Sequence, residues 1–457
     1  MKLSFHGGVR GVTGSCFLIE TSKSKVLIDC GMFQGERMCD GCAQEPFGFS
    51  AQEIDAVVVT HTHYDHIGRL PRLCREGFEG PIYLTPPTKS LGKLVLEDAL
   101  HVMIDNAHRT GDLVLYEEQD VVQAVSQMNG VNYHTQFDIV PGIPVMLHNA
   151  GHILGSAYAT VTVPGNETKT GENITLCFSG DLGNSGNPIL PDLEPIEKAD
   201  IIVTESTYGN RLHEPIETRK SKLVRFASSI LNHGGTLLVP AFSIERTQEL
   251  LYALDELVDE HLIPSVPIYL DSPLAIKATQ VYRDFKHHLE FERDILASED
   301  RDFFSFPRLK ETLSVDASKM INEDPGAKII IAGSGMMTGG RIVHHLRRYL
   351  QDAKNGVLII GYQAEGTLGR KIFNGAETVQ IFRDDVHVKA RVEAIGSFSA
   401  HADRRALTKW LQPTQGAAKK VFLVHGDKEI KQEFKTHLEG ALESEILIPE
   451  FQQVVEF

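Results

Sequence analysis

Three imidazoles and one carboxylate fall within six residues, His61-Thr62-His63-Tyr64-Asp65-His66. Neutral imidazole suits zinc and its neighbours among the transition metals, and a carboxylate adds negative charge to hold a dication. At spacing two, His61 and His63 can face one point. Asp65 and His66 lie past a bend and can face a second, so one short loop is a candidate to hold two metals side by side. The loop leaves a short apolar run, residues 56–59, which reads as a buried strand ending at Thr60. The competing reading, a solvated loop that is merely His-rich, loses weight because residues further along the chain can complete a site.

Four later motifs have one form, an apolar strand followed at once by His or Asp. Asn149-Ala150-Gly151-His152 follows a strand at 145–148, with glycines that permit tight turns. Phe178-Ser179-Gly180-Asp181 places a carboxylate directly after a strand. Ser397-Phe398-Ser399-Ala400-His401-Ala402-Asp403 follows a strand ending near residue 394, and Val424-His425-Gly426-Asp427 repeats the pattern. Each motif alone fits a hydrogen-bonded structural residue. Together they fit a site assembled at strand ends from distant sequence.

The elements that must position these groups change character along the chain. Up to about residue 205 the pattern gives many short strands (2–6, 16–20, 25–29, 56–59, 82–84, 157–163, 174–178, 201–204) and one long helix near 88–107. From about 209 to 375, apolar runs at 236–240, 267–270, 328–332 and 357–360 alternate with amphipathic helices. That alternation predicts βαβ units on a parallel sheet. Strands at 379–383 and 386–394, a helix at 404–411, a strand at 421–424 and a helix after Asp427 complete the chain. One domain interrupted by another is the simplest account.

The order His-x-His-x-Asp-His, His152, Asp181 resembles the metallo-β-lactamase fold. Thr204-Glu205-Ser206-Thr207-Tyr208-Gly209, Ser399-Ala400-His401-Ala402-Asp403 and Val424-His425-Gly426-Asp427 resemble the motifs of its β-CASP nucleases. The likeness extends to the endonuclease subunit of the pre-mRNA 3′-end cleavage complex and its prokaryotic relatives. It implies an α/β fold, an αββα sandwich interrupted by a cap with a mostly parallel sheet. The expected segments are 1–208 and 376–457 for the metal domain and 209–375 for the cap.

The resemblance also assigns residues. It implies one zinc on His61, His63 and His152, a second on Asp65, His66 and His425, and Asp181 bridging them; manganese can occupy such ligands too. Asp29 is expected to orient a ligand histidine. His401 is expected as general acid, with Glu205 holding it, in phosphodiester hydrolysis by a metal-activated hydroxide. A histidine at 425, where DNA-cutting relatives are typically apolar, favours RNA. For substrate grip, Ser334, Gly335 and Met336 lie on a Gly-rich loop before a helix, a phosphate-holding arrangement. Ser243 lies in a matching motif, and Arg246 is expected as a charged clamp. A basic stretch, Arg341, His344, His345, Arg347 and Arg348, reads equally as an RNA track or a solvated helix face.

Bulk properties bound these readings. The chain has 457 residues, room for two or three domains, and 42% hydrophobic residues, an ordinary globular value. With 45 Lys+Arg against 61 Asp+Glu the net charge is −16, which argues against a protein that coats nucleic acid non-specifically. No apolar run approaches the ~18 residues of a membrane span, and the start lacks a signal-peptide core, so a cytoplasmic protein without membrane association is expected. Six cysteines do not make a disulfide framework, and the Cys39/Cys42 pair receives no role. A homodimer is left open. The reading is a zinc-dependent ribonuclease, with endonuclease and 5′-to-3′ exonuclease both compatible. Two alternatives remain: a hydrolase of small esters, thioesters or lactams, and a non-catalytic RNA-binding subunit.

Overall fold

A computed structural model describes residues 1–34, 45–290, 302–414 and 418–457. Cys39 and Cys42 lie outside the described residues. The chain divides into two compact units, the first made of residues 1–185, 190–212 and 401–457, the second of 186–189 and 213–400.

The first unit is built on two seven-stranded sheets. Strands β1 (Lys2–Phe5), β2 (Phe17–Glu20), β3 (Lys25–Ile28), β4 (Ala56–Val58), β5 (Ile82–Leu84) and β6 (Met128–Gly130) make one sheet in sequence order. β7 (Phe137–Val140), β8 (Ile143–Asn149), β9 (Ala157–Val163), β10 (Ile174–Phe178) and β11 (Ile201–Glu205) belong to the other. Side chains alternate across a pleated strand, and Ile143, Val145 and Leu147 of β8 enter a core shared with Leu3, Phe5, Phe17, Val26, Ile28 and Val58 of the first sheet. That shared core makes the pair a sandwich. The outer face of the second sheet, with Cys177, Ile202, Val421 and Leu423, packs with Leu407, Trp410 and Leu411 of helix Arg404–Leu411 and with Phe434 and Leu438 of helix Lys428–Glu439.

The second unit carries β12 (Thr236–Pro240), β13 (Ile268–Leu270), β14 (Leu309–Glu311), β15 (Lys328–Ala332), β16 (Gly356–Ile359), the hairpin β17 (Thr378–Ile381) and β18 (Asp384–His387), and β19 (Arg391–Ala394). Its six-stranded sheet runs β14-β13-β15-β12-β16-β19 with every pair parallel. The sequence pattern at 386–394 reads as one strand returning to the first domain. The structure instead splits it between β18 and β19, and β19 pairs with β16. The return therefore comes at His401 rather than at 376. It brings β20 (Lys420–Val424), β21 (Glu445–Leu447) and β22 (Val454–Glu456): β20 and β21 extend the second sheet beyond β11, and β22 pairs with β1.

Strand direction explains why the motif residues meet. β3 and β4 are parallel with Ile28 opposite Val58, so Asp29 and the loop at Thr60 leave the same edge. β10, β11 and β20 are parallel neighbours, with Phe178 opposite Val203 and Glu205 opposite Val424. Asp181, Glu205 and His425 therefore emerge at one edge of the second sheet, the carboxyl edge where open α/β sheets assemble sites.

Phe5 is fully buried and its ring lies 6.0 Å from Phe17 and 5.1 Å from Phe422, so it ties the first sheet to β20 of the second. Phe5→Ala should lower the unfolding free energy by about 3–5 kcal/mol, measured by urea denaturation.

Candidate dinuclear metal centre

The six-residue motif begins as the chain leaves β4 and then turns into a short helix, Tyr64–Ile67. Its packing demands a glycine at 31, because a Cβ there would sit 1.5 Å from the Asp65 carbonyl oxygen. Gly183 is similarly required, since a Cβ would meet the Gly151 carbonyl oxygen at 1.9 Å. Two backbone segments that carry ligands are thereby held in close contact with their neighbours.

Two groups of ligand atoms result. In the first, His63 Nδ1 lies 3.0 Å from His61 Nε2 and 3.2 Å from His152 Nε2. Asp181 Oδ2 lies 3.4 Å from His61 Nε2 and 3.6 Å from His152 Nε2. In the second, Asp65 Oδ2 lies 3.1 Å from His425 Nε2 and 4.0 Å from His66 Nε2. Asp181 Oδ1 lies 3.3 Å from His66 Nε2. Asp181 thus turns one oxygen to each group.

The partners behind the rings fix which nitrogen is bare. Asp29 Oδ1 accepts the Thr60 N–H at 2.8 Å, and Oδ2 accepts the Thr60 hydroxyl at 2.8 Å and His66 Nδ1–H at 2.7 Å. With its proton spent on Asp29, the Thr60 oxygen can accept His61 Nδ1–H, 3.2 Å away. On the other side the Thr207 hydroxyl donates to the His425 carbonyl at 3.1 Å and can accept His425 Nδ1–H at 3.2 Å. In their neutral forms His61, His66 and His425 therefore keep their one proton on Nδ1, and Nε2 is the nitrogen each can offer a metal. Asp29 and His425 adopt positive φ, 59° and 47°, a sparsely populated conformation for non-glycine residues that accumulates at functional sites.

The donor set fits a pair of dications. A tetrahedral ion with 2.0–2.1 Å bonds holds neighbouring donors about 3.3 Å apart, and the first group spans 3.0–3.6 Å. One proton on His63 Nδ1 cannot serve two imidazole nitrogens at once, whereas a cation satisfies all of them. Asp181 Oδ1 is buried without a hydrogen bond, a costly state for a carboxylate oxygen unless a cation faces it.

Charge sorts the two groups. Burial pushes His61 down to about 3 and His63 down to about 4, and holds His152 well below the usual imidazole range. Burial also acts to lower His66, but the Asp181 and Asp29 carboxylates hold it well above that range. Burial opposes ionisation of Asp181, yet the imidazoles of His425, His66 and His61 keep it well below the usual carboxylate range.

Beside the ligands, His401 Nδ1 lies 3.2 Å from both oxygens of fully buried Glu205 and 3.9 Å from Asp181 Oδ2. Glu205 also accepts the Leu182 N–H at 2.6 Å. Burial would lower His401, but Glu205 and Asp181 raise it to about 9. Asp403 does separate work, capping the helix Arg404–Leu411 through the Ala406 N–H at 2.9 Å.

The residues expected to grip substrate lie in the second unit, where Ser243 and the Gly-rich loop meet: a Cβ at Gly333 would lie 3.7 Å from Ser243 Oγ. Ser243 Oγ is 3.3 Å from Ser272 Oγ. Ser334 Oγ accepts the Thr338 N–H at 3.1 Å, and the Met336 carbonyl accepts the Gly369 N–H. At Gly335 a Cβ would strike the Phe242 ring at 2.6 Å. Arg246, expected as a charged clamp, is held inside the unit. It is 5% exposed, pairs with Glu249 and donates to the Phe398 carbonyl. The basic stretch is largely neutralised as well: Arg341 and His345 bind buried Asp271, and Arg347 pairs with Asp384. Sequence reasoning missed Thr60, Thr207 and Ser156, whose hydroxyl accepts the His152 N–H at 3.0 Å. Their only signal was adjacency to the motifs.

Residues 9–101 match the metallo-beta-lactamase superfamily model, 247–372 the Beta-Casp domain, and 385–449 the Zn-dependent metallo-hydrolase RNA specificity domain. The chain is 38% identical to "Ribonuclease TTHA0252" of Thermus thermophilus over 94% of each chain. It is 33% identical to "Transcription termination factor FttA" of Methanocaldococcus jannaschii, over 98% of this chain and 70% of that one. An "RNase J-like protein" of the same organism is 31% identical, over 93% and 92%. A crystal structure of a protein of unknown function from Enterococcus faecalis V583 shares the fold, with a TM-score of 0.57 at 14% identity over 100% and 99% of the two chains.

Two outcomes are expected. At pH 7 the His61, His63 and His152 nitrogens are already unprotonated, whereas His66, with its raised pKa, must lose a proton to bind an ion. In a His401→Ala background, filling both groups should release about one proton per chain. Affinity for the second ion should rise about tenfold per pH unit until the His66 pKa is passed. Calorimetry in buffers of different ionisation enthalpy measures both. Asp29→Asn offers one acceptor oxygen where three donors converge, and should weaken metal binding about 10–100-fold.

Proposed function

The chain belongs to the β-CASP family of metallo-β-lactamase-fold metallo-hydrolases, and on that premise we propose that it is a ribonuclease that hydrolyses RNA phosphodiester bonds. The observation that carries the reading is the pair of ligand groups sharing Asp181, with a His401–Glu205 pair beside it. The RNA specificity domain match and the ribonuclease names of two relatives support RNA as substrate.

His61, His63, His152 and Asp181 Oδ2 would hold one ion, and Asp65, His66, His425 and Asp181 Oδ1 the other. Zinc suits this mixture of imidazole and carboxylate, with manganese the alternative. When bound, such ions supply Lewis acidity at the phosphoryl oxygens and lower the pKa of water from 15.7 to about 7. The chain's own residues do the rest. Glu205 takes the Nδ1 side of His401, so Nε2 is the nitrogen that presents a proton to substrate. With its pKa raised to about 9, His401 carries that proton at neutral pH and is suited to protonate the departing 3′ oxygen. The products are then a 3′-hydroxyl and a 5′-phosphate. Asp29 and Thr60 keep His61 and His66 in the ligating tautomer throughout. No helix among the described residues is long and apolar enough to cross a membrane.

End-labelled single-stranded RNA with metal-analysed protein tests the reading. Internal fragments mark an endonuclease, and stepwise loss from the 5′ end marks an exonuclease. Asp65→Ala should abolish cleavage and lower the metal content. His401→Ala should keep its metal and lose about 10²–10⁴ in rate. In the wild type, rate should fall as pH rises and His401 loses its proton. This limb lies at or below about 9, because bound dications lower an imidazolium pKa, and it should vanish in His401→Ala. Intact RNA from a fully metal-loaded wild type would sink the proposal.

A further inference from the structure

Outside the dinuclear centre, one more set of metal-ligating side chains converges among the described residues. The ligand atoms of His134, His148 and Glu194 lie within 4.8 Å of one another. We propose that these three residues form a separate divalent-cation site of the zinc-preferring His₂–carboxylate type. The inference goes beyond the nuclease reading and does not rest on it.

The site lies on the far side of the second sheet from the sandwich core. Ile143, Val145 and Leu147 of β8 point into that core, so the pleat turns His148 to the opposite face. There His134 is exposed and Glu194 half-buried, so the group is open to an ion from solvent.

Each ligand is prepared by its surroundings. The His148 ring stacks on Tyr158, its cross-strand partner, at 4.6 Å and 5°. The Thr160 hydroxyl donates to the Met146 carbonyl at 3.4 Å, so its oxygen can accept His148 Nε2–H at 3.2 Å. That leaves Nδ1 as the nitrogen with a lone pair, the arrangement by which ligand histidines have their tautomer fixed.

Glu194 stands on a stapled segment. Trp410 Nε1–H donates to the Glu194 carbonyl at 2.9 Å, the Tyr158 hydroxyl to the Pro195 carbonyl at 2.9 Å, and the Asn149 amide to the Asp192 carbonyl at 3.1 Å. One Glu194 carboxylate oxygen accepts the Asn149 N–H at 3.3 Å, and the other lies 3.2 Å from His134 Nε2. That last spacing is close to the roughly 3.3 Å between neighbouring donors on a tetrahedral ion. His134 adopts φ of 58°, and its N–H bonds the Leu147 carbonyl at 2.9 Å. An exposed His–Glu pair contributes little by itself and gives no reason for a third, oriented imidazole beside it. Three protein ligands with one open, solvent-facing position form a recurring zinc arrangement.

The test uses zinc alone. Metal-stripped full-length protein is titrated with Zn²⁺ against a chromophoric chelator, for wild type, His134→Ala and Glu194→Gln. His134 is exposed, so its removal leaves the core intact. Glutamine keeps an acceptor for the Asn149 N–H. Each variant should bind one zinc equivalent fewer per chain than wild type, a difference that holds whatever the dinuclear centre takes up. Equal stoichiometry and affinities in all three proteins would overturn the proposal.

Discussion

A carboxylate that is 2% exposed and ringed by imidazoles cannot be left to itself, and Asp181 is in that position. Removing an ionised carboxylate from water is costly, and only nearby positive charge repays it. Protonated histidines repay it in the bare protein, which is why His66 and His401 hold their protons so firmly. Dications repay it better, because each can face an oxygen of Asp181 and several nitrogens together. The Asp29–Thr60 network and the Thr207 hydroxyl have meaning only beside that carboxylate. They engage the Nδ1 protons of His61, His66 and His425 and leave Nε2 as the nitrogen that can face an ion.

The topology serves this one gathering point. Parallel strands deliver their following residues to the same edge, so β10, β11 and β20 present Asp181, Glu205 and His425 together although Glu205 and His425 are 220 positions apart. The sandwich core beneath is apolar from both sheets. Polar networks can therefore be confined to the loops, where every hydrogen bond acts on ligand orientation rather than on holding the sheets.

What the sequence made legible follows from this. The His61–His66 motif was visible because its residues are local neighbours, and His152, Asp181 and His425 because strand ends are marked by an abrupt change from apolar to polar. The parallel alternation of the second unit was legible for the same reason. Arg246 was not. An arginine at a helix start looks alike whether it meets solvent or a carbonyl 152 positions away, and here it meets the Phe398 carbonyl. Arg341 and His345 likewise turn toward Asp271, 70 and 74 positions upstream, a pairing that no local pattern reveals. Nor does anything in the four residues of β19, Arg391–Ala394, mark β16 as its partner strand.

The position of β20 has a consequence for how the protein comes into being. β11 is finished by residue 205, yet the strand that covers its open edge begins at 420. At synthesis rates of about 5–20 residues per second, that edge waits on the order of ten seconds or more for its partner. An uncovered strand edge is a template for wrong pairing, so the nascent chain carries that hazard through the interval. The same delay has a protective side. His425 arrives with β20, so a half-made chain still attached to a ribosome, itself built largely of RNA, lacks one member of the cluster around Asp181.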